Sequence, residues 1–227
     1  MRIDFHAHIL PGADHGSRGL EITLQQIAQA GAAGVELLAA TPHFYPYRQS
    51  FSSFLERREI TAALLLENLP ADAPTIVLGA EVQLCNGLDH IEGLRSLCFA
   101  GTSTLLMELP PDFTVKKYIH TLDALLYAHK LQIVLAHVER YSSDAINELF
   151  DLGFWGQLNA EAFCRFKTRG RATRWVNGDR IVALGSDLHG KNMGYGYYQR
   201  ARKYLGQRAD VLDARAMEML AGFVPLR

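Results

Sequence analysis

The sequence predicts a parallel α/β fold whose strands close, or nearly close, into a ring, and three observations carry that expectation. Short apolar runs alternate with longer helical patterns along the chain, as in strand–helix–strand units. Runs such as IVLAH and IVALGSD suit parallel strands covered on both faces. Almost every run ends in a residue capable of chemistry, and in a ring the C-terminal strand ends surround one mouth. An open sheet would gather ligands only near its switch point. With 227 residues, 48% of them hydrophobic, the chain suffices for one domain, residues 1–227, with a full core.

The elements follow in order. The first predicted strand, Arg2–His8, ends in His6 and His8. Residues two apart on a strand share a face, so both imidazoles can reach one metal ion. A helical pattern covers Leu20–Ala33, with Gly31 and Gly34 where helices should stop. The second strand, Val35–His43, ends in TPH and places His43 at its tip. After the helical pattern Phe51–Leu69, the third strand, Thr75–Gln83, carries Glu81. The fourth, Ser103–Leu109, ends with Glu108. The helical pattern Val115–His129 leads to the fifth strand, Gln132–Val138, and to His137 of AHVER. Asp144–Leu152 is helical, Gly153 stops it, and the sixth strand, Phe154–Asn159, ends in Asn159. The seventh, Ile181–Asp187, runs into GSDLH with Asp187 and His189.

Acids and imidazoles converging on a buried mouth are costly unless paired or bound to metal. A divalent metal centre is therefore expected. Its donors are nitrogen and oxygen; no cysteine sits at a matching strand end. That argues against thiolate-selecting sites and leaves Mn²⁺, Zn²⁺ and Fe²⁺ open, with affinity alone favouring zinc. Asn159 is a poor ligand and is better suited to orienting a neighbour or a water.

The segments HAHILPGADHG, ATPHF, GAE, AHVER and GSDLH resemble the motifs of the polymerase-and-histidinol-phosphatase (PHP) superfamily. The resemblance is closest to its bacterial manganese-dependent tyrosine-protein phosphatases of capsule and exopolysaccharide loci, which read HxHxLPGxDDG, ATPHH, AHPER and SDAH. It runs from residue 3 to 189. It implies a distorted seven-stranded, TIM-like (β/α)7 barrel holding two or three divalent ions, Mn²⁺ foremost. It implies that His6, His8, Glu81 and Asp187 hold the first metal. Glu81, Glu108 and His137 would hold the second, with Glu81 bridging, and Asp14, His43 and His189 the third. Arg140, Asp187 and His189 are the expected catalytic residues, with the general acid left open. Several positions depart from the pattern: His15 replaces the second Asp of DDG, Phe44 a His and Val138 a Pro. The Arg common a few residues past SDAH is missing; Lys191 and Arg200 lie near but match neither position.

The chemistry implied is phosphate-monoester hydrolysis. Two metals would clamp a phosphate and lower the pKa of a shared water toward neutrality. Arg140 would stabilise the developing charge with its forked donors, the alternative being a surface arginine paired with a carboxylate. The leading substrate is protein phosphotyrosine, such as the tyrosine kinase of polysaccharide export, in control of capsular or exopolysaccharide synthesis. The alternatives are a small phosphate ester, histidinol phosphate or a sugar phosphate, and a non-catalytic metal-stabilised regulatory module. No strand ends in the Lys common in amidohydrolases, and no GxxxxGK[ST] loop occurs. At the distance where cysteine phosphatases need Arg, Cys85, Cys98 and Cys164 are followed by Ile91, Thr104 and Gly170.

A net charge of −1 gives no reason to expect nucleic acid. No apolar run reaches the roughly 18–20 residues needed to span a bilayer, and the N-terminus lacks a signal pattern; a cytoplasmic protein is expected. Three cysteines without CxxC spacing read as reduced thiols. His90, His120 and His129 are read as structural or solvent-facing. The cluster Arg165, Lys167, Arg169, Arg171 and Arg174 is read as a solvated face, with guidance of an anion as the alternative. Tyr195, Tyr197 and Tyr198 either line the mouth or pack.

Overall fold

The structure, a computed structural model, describes residues 1–190 and 194–226; Lys191 lies outside them. Among these residues nine parallel strands form two sheets. One holds β1 (Ile3–Ala7), β2 (Leu37–Ala40) and β4 (Thr75–Leu78), in the order β1-β2-β4. The other holds β3 (His43–Phe44), β5 (Glu81–Gln83), β6 (Thr104–Glu108), β7 (Gln132–Leu135), β8 (Trp155–Asn159) and β9 (Ile181–Gly185), in chain order. The fold is thus mixed α/β with parallel sheets.

The expected second and third strands are each divided in two. Pro42 has no N–H to give a ladder, and a Cβ on Gly79 would lie 2.7 Å from the Phe99 ring. The two breaks face each other: Gly79 N–H donates to Ala40 O at 2.9 Å and Glu81 N–H to Pro42 O at 3.1 Å. Ala40 pairs with Leu78 before the break and His43 with Glu81 after it, in unchanged register. The first and last strands meet through Asp187 N–H to His6 O, 2.7 Å, and His8 N–H to Leu188 O, 3.2 Å.

Alternate residues face two cores, as expected of strands covered on both sides. Phe5, Ala39, Val77, Leu106, Val134 and Ala183 join one buried cluster; Leu38, Ile76, Leu105, Ile133 and Leu184 join the other, with the helices. Strand β1 switches sides midway. Ile3 and Phe5 belong to the first cluster and Ala7 and Ile9 to the second. The cause is a register shift against β2 between Asp4 and Ala7. A bulge of this kind re-aims the side chains beyond it, and His6 and His8 are the side chains re-aimed. Asp4, before the bulge, is buried on the other side. It accepts from Tyr195 Oη at 2.7 Å and from the N–H of Ser186 at 2.8 Å, while burial pushes its carboxyl up.

The helices are α1 (Leu20–Ala32), α2 (Phe51–Asn68), α3 (Val115–Asp123, widening into a π turn over Ala124–Ala128), α4 (Ser143–Asp151), α5 (Phe166–Asn177), α6 (Gly194–Leu205) and α7 (Gln207–Met219). Gly31 does not stop α1, which runs through it to Ala32. Gly34, at φ +79°, makes the left-handed turn that Gly31 was expected to share. Helix α5 carries the basic cluster, largely as a solvated face: Arg165 pairs with Glu161 at 2.5 Å, while Arg171 bonds Glu139 O and lies over Trp175. Tyr195 and Tyr198 are packing residues, and Tyr198 donates to Ile3 O at 2.7 Å. His90 and His120 are exposed, and His129 bonds Asp89 O at 2.8 Å. Among the described residues no helix is long and apolar enough to cross a membrane.

Candidate metal centre

The strand ends converge on Glu81, whose side chain is fully buried. Its Oε1 meets His137 Nε2 at 2.7 Å. Its Oε2 lies 2.8 Å from His43 Nδ1, 3.2 Å from His8 Nε2 and 3.3 Å from His6 Nε2. Asp187 Oδ1 stands opposite, 3.4 Å from His8 Nε2 and 3.6 Å from His6 Nε2. It is also 3.4 Å from His189 Nδ1. Glu108 reaches His137 Nε2 at 3.8 Å and is held by Gln83 Nε2 at 3.2 Å.

Local backbone makes this convergence. Gly16 backs onto His8, where a Cβ would come within 2.1 Å of His8 Cβ. Gly185 does the same for His6, at 2.7 Å. His137 and Asp187 have φ of +34° and +50°, a left-handed conformation uncommon outside glycine, although Asp and His adopt it more readily than most. Strain of this kind, on the order of 1–3 kcal/mol each, persists where the surroundings over-determine it and clusters at functional sites.

Burial opposes the charge on Glu81, but His6, His137 and His43 outweigh it and hold its carboxyl well below the ordinary range. Asp187 is likewise penalised by burial and still held low by His6, His8 and Arg140. Burial and then the Glu81 charge push Glu108 up. Burial and then His8 bring His189 down to about 4.

These donors fit a divalent cation. Glu81 Oε2 is buried and accepts no hydrogen bond, although three imidazole nitrogens surround it. His6 and His8 aim Nε2 at each other at 3.1 Å. Imidazole nitrogens so close together suit a shared cation. Three groups bring one donor atom per residue within 4.8 Å of the others: His6 with His8 and Asp187; His43 with Glu81 and Glu108; and His8 with His43 and His189. Nitrogen and carboxylate donors suit Mn²⁺, Zn²⁺ or Fe²⁺.

Nine metal-ligating residues were expected. Eight of them, His6, His8, His43, Glu81, Glu108, His137, Asp187 and His189, surround this centre. Asp14 lies beside it: its oxygens take His8 Nδ1 at 2.7 Å and the N–H groups of His43 at 2.9 Å and Gly16 at 2.8 Å. His43 is shared between two groupings. Arg140 is 52% exposed at the mouth and donates to Asp187 Oδ2. Its partner is thus a carboxylate of the centre itself. Arg200 donates to Gly196 O at 3.0 Å and lies over Tyr197, engaged within α6.

The sequence reading missed Gln157, Tyr45 and Tyr141. Gln157 Oε1 takes the N–H of His137 at 2.8 Å and faces His6 Nδ1 at 3.2 Å. Its Nε2 donates to Asn159 Oδ1 at 3.0 Å, and Asn159 Nδ2 donates to Asp187 Oδ2 at 2.8 Å. One amide thereby orients residues from three strand ends. A polar residue two before Asn159 in an apolar strand was the available signal. Tyr45 Oη is 3.1 Å from His43 Nδ1, and Tyr141 Oη donates to Leu109 O at 3.1 Å, behind His137. Substituting Gln157→Leu removes the constraint on His6 and is expected to lower metal affinity about 10- to 100-fold. Metal titration of the folded variant measures this, and unchanged affinity would refute the orienting role.

Residues 2–220 match the family described as capsular polysaccharide synthesis, CpsB/CapC. The tyrosine-protein phosphatase CpsB of Streptococcus agalactiae (serotype III, strain NEM316) is 24% identical over 208 residues, covering 82% of each chain. The putative tyrosine-protein phosphatase CapC of Staphylococcus aureus is 25% identical over 170 residues, 70% of this chain and 65% of that one. This chain therefore spans a little under two thirds of CapC. A chain from the crystal structures of YwqE from Bacillus subtilis and CpsB from Streptococcus pneumoniae, described as unique metal-dependent tyrosine phosphatases, has the same fold. Its TM-score is 0.78 at 20% identity, over 98% of this chain and 95% of that one. With the family matched along nearly the whole chain, this protein belongs to the CpsB/CapC family of capsular polysaccharide synthesis.

Proposed function

We propose that this chain is a metal-dependent protein-tyrosine phosphatase acting in the control of capsular or exopolysaccharide synthesis. The observation that carries the reading is the buried Glu81 carboxylate, ringed by imidazoles and left with an oxygen that accepts no hydrogen bond. Membership of a family whose relatives are named tyrosine-protein phosphatases supports it. On this reading residues 1–227 are one domain, and the two sheets are parts of a distorted (β/α)7 barrel. Three free thiols, Cys85, Cys98 and Cys164, fit a reducing compartment, and the reading puts the protein in the cytoplasm. Its substrate would be a phosphorylated protein such as the tyrosine kinase of polysaccharide export.

The assignment of ligands follows the resemblance: His6, His8, Glu81 and Asp187 for one ion; Glu81, Glu108 and His137 for a second; Asp14, His43 and His189 for a third, with Mn²⁺ as the native metal. Bound there, divalent ions would supply water activation near neutral pH and neutralisation of phosphoryl charge. The chain's own residues do the rest. Gln157 and Asn159 hold His6 and Asp187 in place. Arg140 spends one donor on Asp187 and keeps others for a phosphoryl oxygen at the mouth.

The test is phosphate release by chelated protein before and after Mn²⁺ is restored, at neutral pH. A phosphotyrosyl peptide is expected to be cleaved in preference to histidinol phosphate, and only by the reloaded protein. Preference for histidinol phosphate would remove the protein substrate. Folded, metal-loaded protein that cleaves neither would remove the phosphatase reading.

A further inference from the structure

The turn after β3 carries Tyr45, which contacts His43, and two residues outside the metal centre, Tyr47 and Arg48. Tyr45 stacks on His43, ring centroids 4.9 Å apart at 20°. The Tyr47 ring lies 6.0 Å from that of Tyr45 and is 60% exposed. The Arg48 guanidinium sits over both rings, at 5.2 Å and 5.3 Å. The turn is built, since the N–H groups of Arg48 and Gln49 both donate to Tyr45 O, at 2.9 Å and 3.2 Å. Gln49 Nε2 ties it back to His43 O at 3.2 Å. Among the described residues Arg48 forms no salt bridge. A guanidinium resting on aromatic faces keeps its charge and its forked donors for an anion.

The chain also lacks the arginine that its motifs lead one to expect after GSDLH; Arg200 gives its Nε–H to Gly196 O within α6. Arg48, five residues past His43 and without a salt bridge among the described residues, can fill that need. Beside it, Tyr47 offers an open aromatic face. Aromatic rings prefer offset or edge-on contact with other rings at centroid separations of about 4.5–7 Å. An alkyl ester offers no ring for that contact.

Resting on the phosphatase reading above, we propose that the Tyr45–Arg48 turn is the ester-recognition lip of the site. Tyr47 packs on the aryl group of a phosphorylated tyrosine, and Arg48 donates to its phosphate. Tyr45 positions the lip by stacking on His43.

Binding of non-hydrolysable ligands tests this without turnover. Phenylphosphonate and methylphosphonate are titrated calorimetrically into Mn²⁺-loaded wild type, Tyr47→Ala and Arg48→Ala, with metal content measured in each. Wild type is expected to bind phenylphosphonate about 3- to 10-fold tighter than methylphosphonate, the range of an aromatic pair. Tyr47→Ala should erase that preference. Arg48→Ala should weaken both ligands about tenfold or more, the scale of a charge-assisted hydrogen bond, with metal content unchanged. Arg48→Lys should recover part of the loss. A preference that survives Tyr47→Ala, or phosphonate affinity indifferent to Arg48→Ala, overturns the proposal. If the lip behaves as expected and a phosphotyrosyl peptide is still not cleaved, the lip stands and the phosphatase reading fails.

Discussion

Glu81→Gln is expected to remove metal binding and turnover together, with turnover falling at least about 10³-fold. The amide keeps one oxygen and replaces the other by an NH₂ group, so either His137 loses its acceptor or an N–H is turned toward the nitrogens of His43, His8 and His6. The charge that would bind two cations at once is gone. Stability should report the same event. A ligand present at a hundred times its dissociation constant contributes about 2.7 kcal/mol. In a chain of this size that is about 5–10 °C in Tm. Wild type should show such a rise on Mn²⁺ addition, and Glu81→Gln should not. A pH effect follows too. Because its carboxyl is held well below the ordinary range, Glu81 contributes stability present above about pH 4.3 and lost as pH falls below it. The variant lacks that contribution. Full metal content and turnover in Glu81→Gln would end the case for a bridging carboxylate.

Gly16→Ala should damage the site without touching a ligand. The added methyl would stand 2.1 Å from His8 Cβ and 2.8 Å from His8 O, and neither atom is the free end of a side chain. The turn must move, although Gly16 N–H holds Asp14 and Gly16 O takes Gly190 N–H. Overpacking of this kind costs about 1–3 kcal/mol. A displacement near 1 Å at a catalytic group costs about 10²-fold in rate. Gly19→Ala is the control, since its Cβ meets nothing within 4 Å. Thermal melts with kcat/KM on both variants decide the matter. Equal behaviour of the two would show that the turn does not brace His8.

What was legible in the sequence was chemistry at strand ends. His6, His8, His43, Glu81, Glu108, His137, Asp187 and His189 stand out because titratable groups are expensive at the tips of apolar runs unless they share a purpose. Backbone events inside those runs were hidden. In IDFHAH the alternation looks regular, so Asp4 should face the same way as His6; the bulge parts them. The breaks at Pro42 and Gly79 keep the ladder in register, so the apolar runs seem continuous. Gln157 was passed over because it lies in the middle of its strand, whereas Asn159 stands at the tip. Helices α5 to α7 are polar over most of their length, and Gly31 sits inside α1 rather than past its end. The Tyr45–Arg48 lip needed coordinates, because only the fold puts an arginine over two rings.

The attachment of β1 bears on how the protein is made. Its far edge is completed by Asp187 and Leu188, and its start by Tyr198 and by Asp213, which accepts the N–H of Ile3 at 3.1 Å. A ribosome delivers His6 and His8 first and their partner Asp187 on the order of ten to forty seconds later. Until then the two histidines are an unfinished chelate on a nascent chain, open to whichever cation binds imidazole most tightly, and that ordering favours zinc over manganese. Metal identity in the finished protein would then depend on when loading happens as well as on the shape of the site.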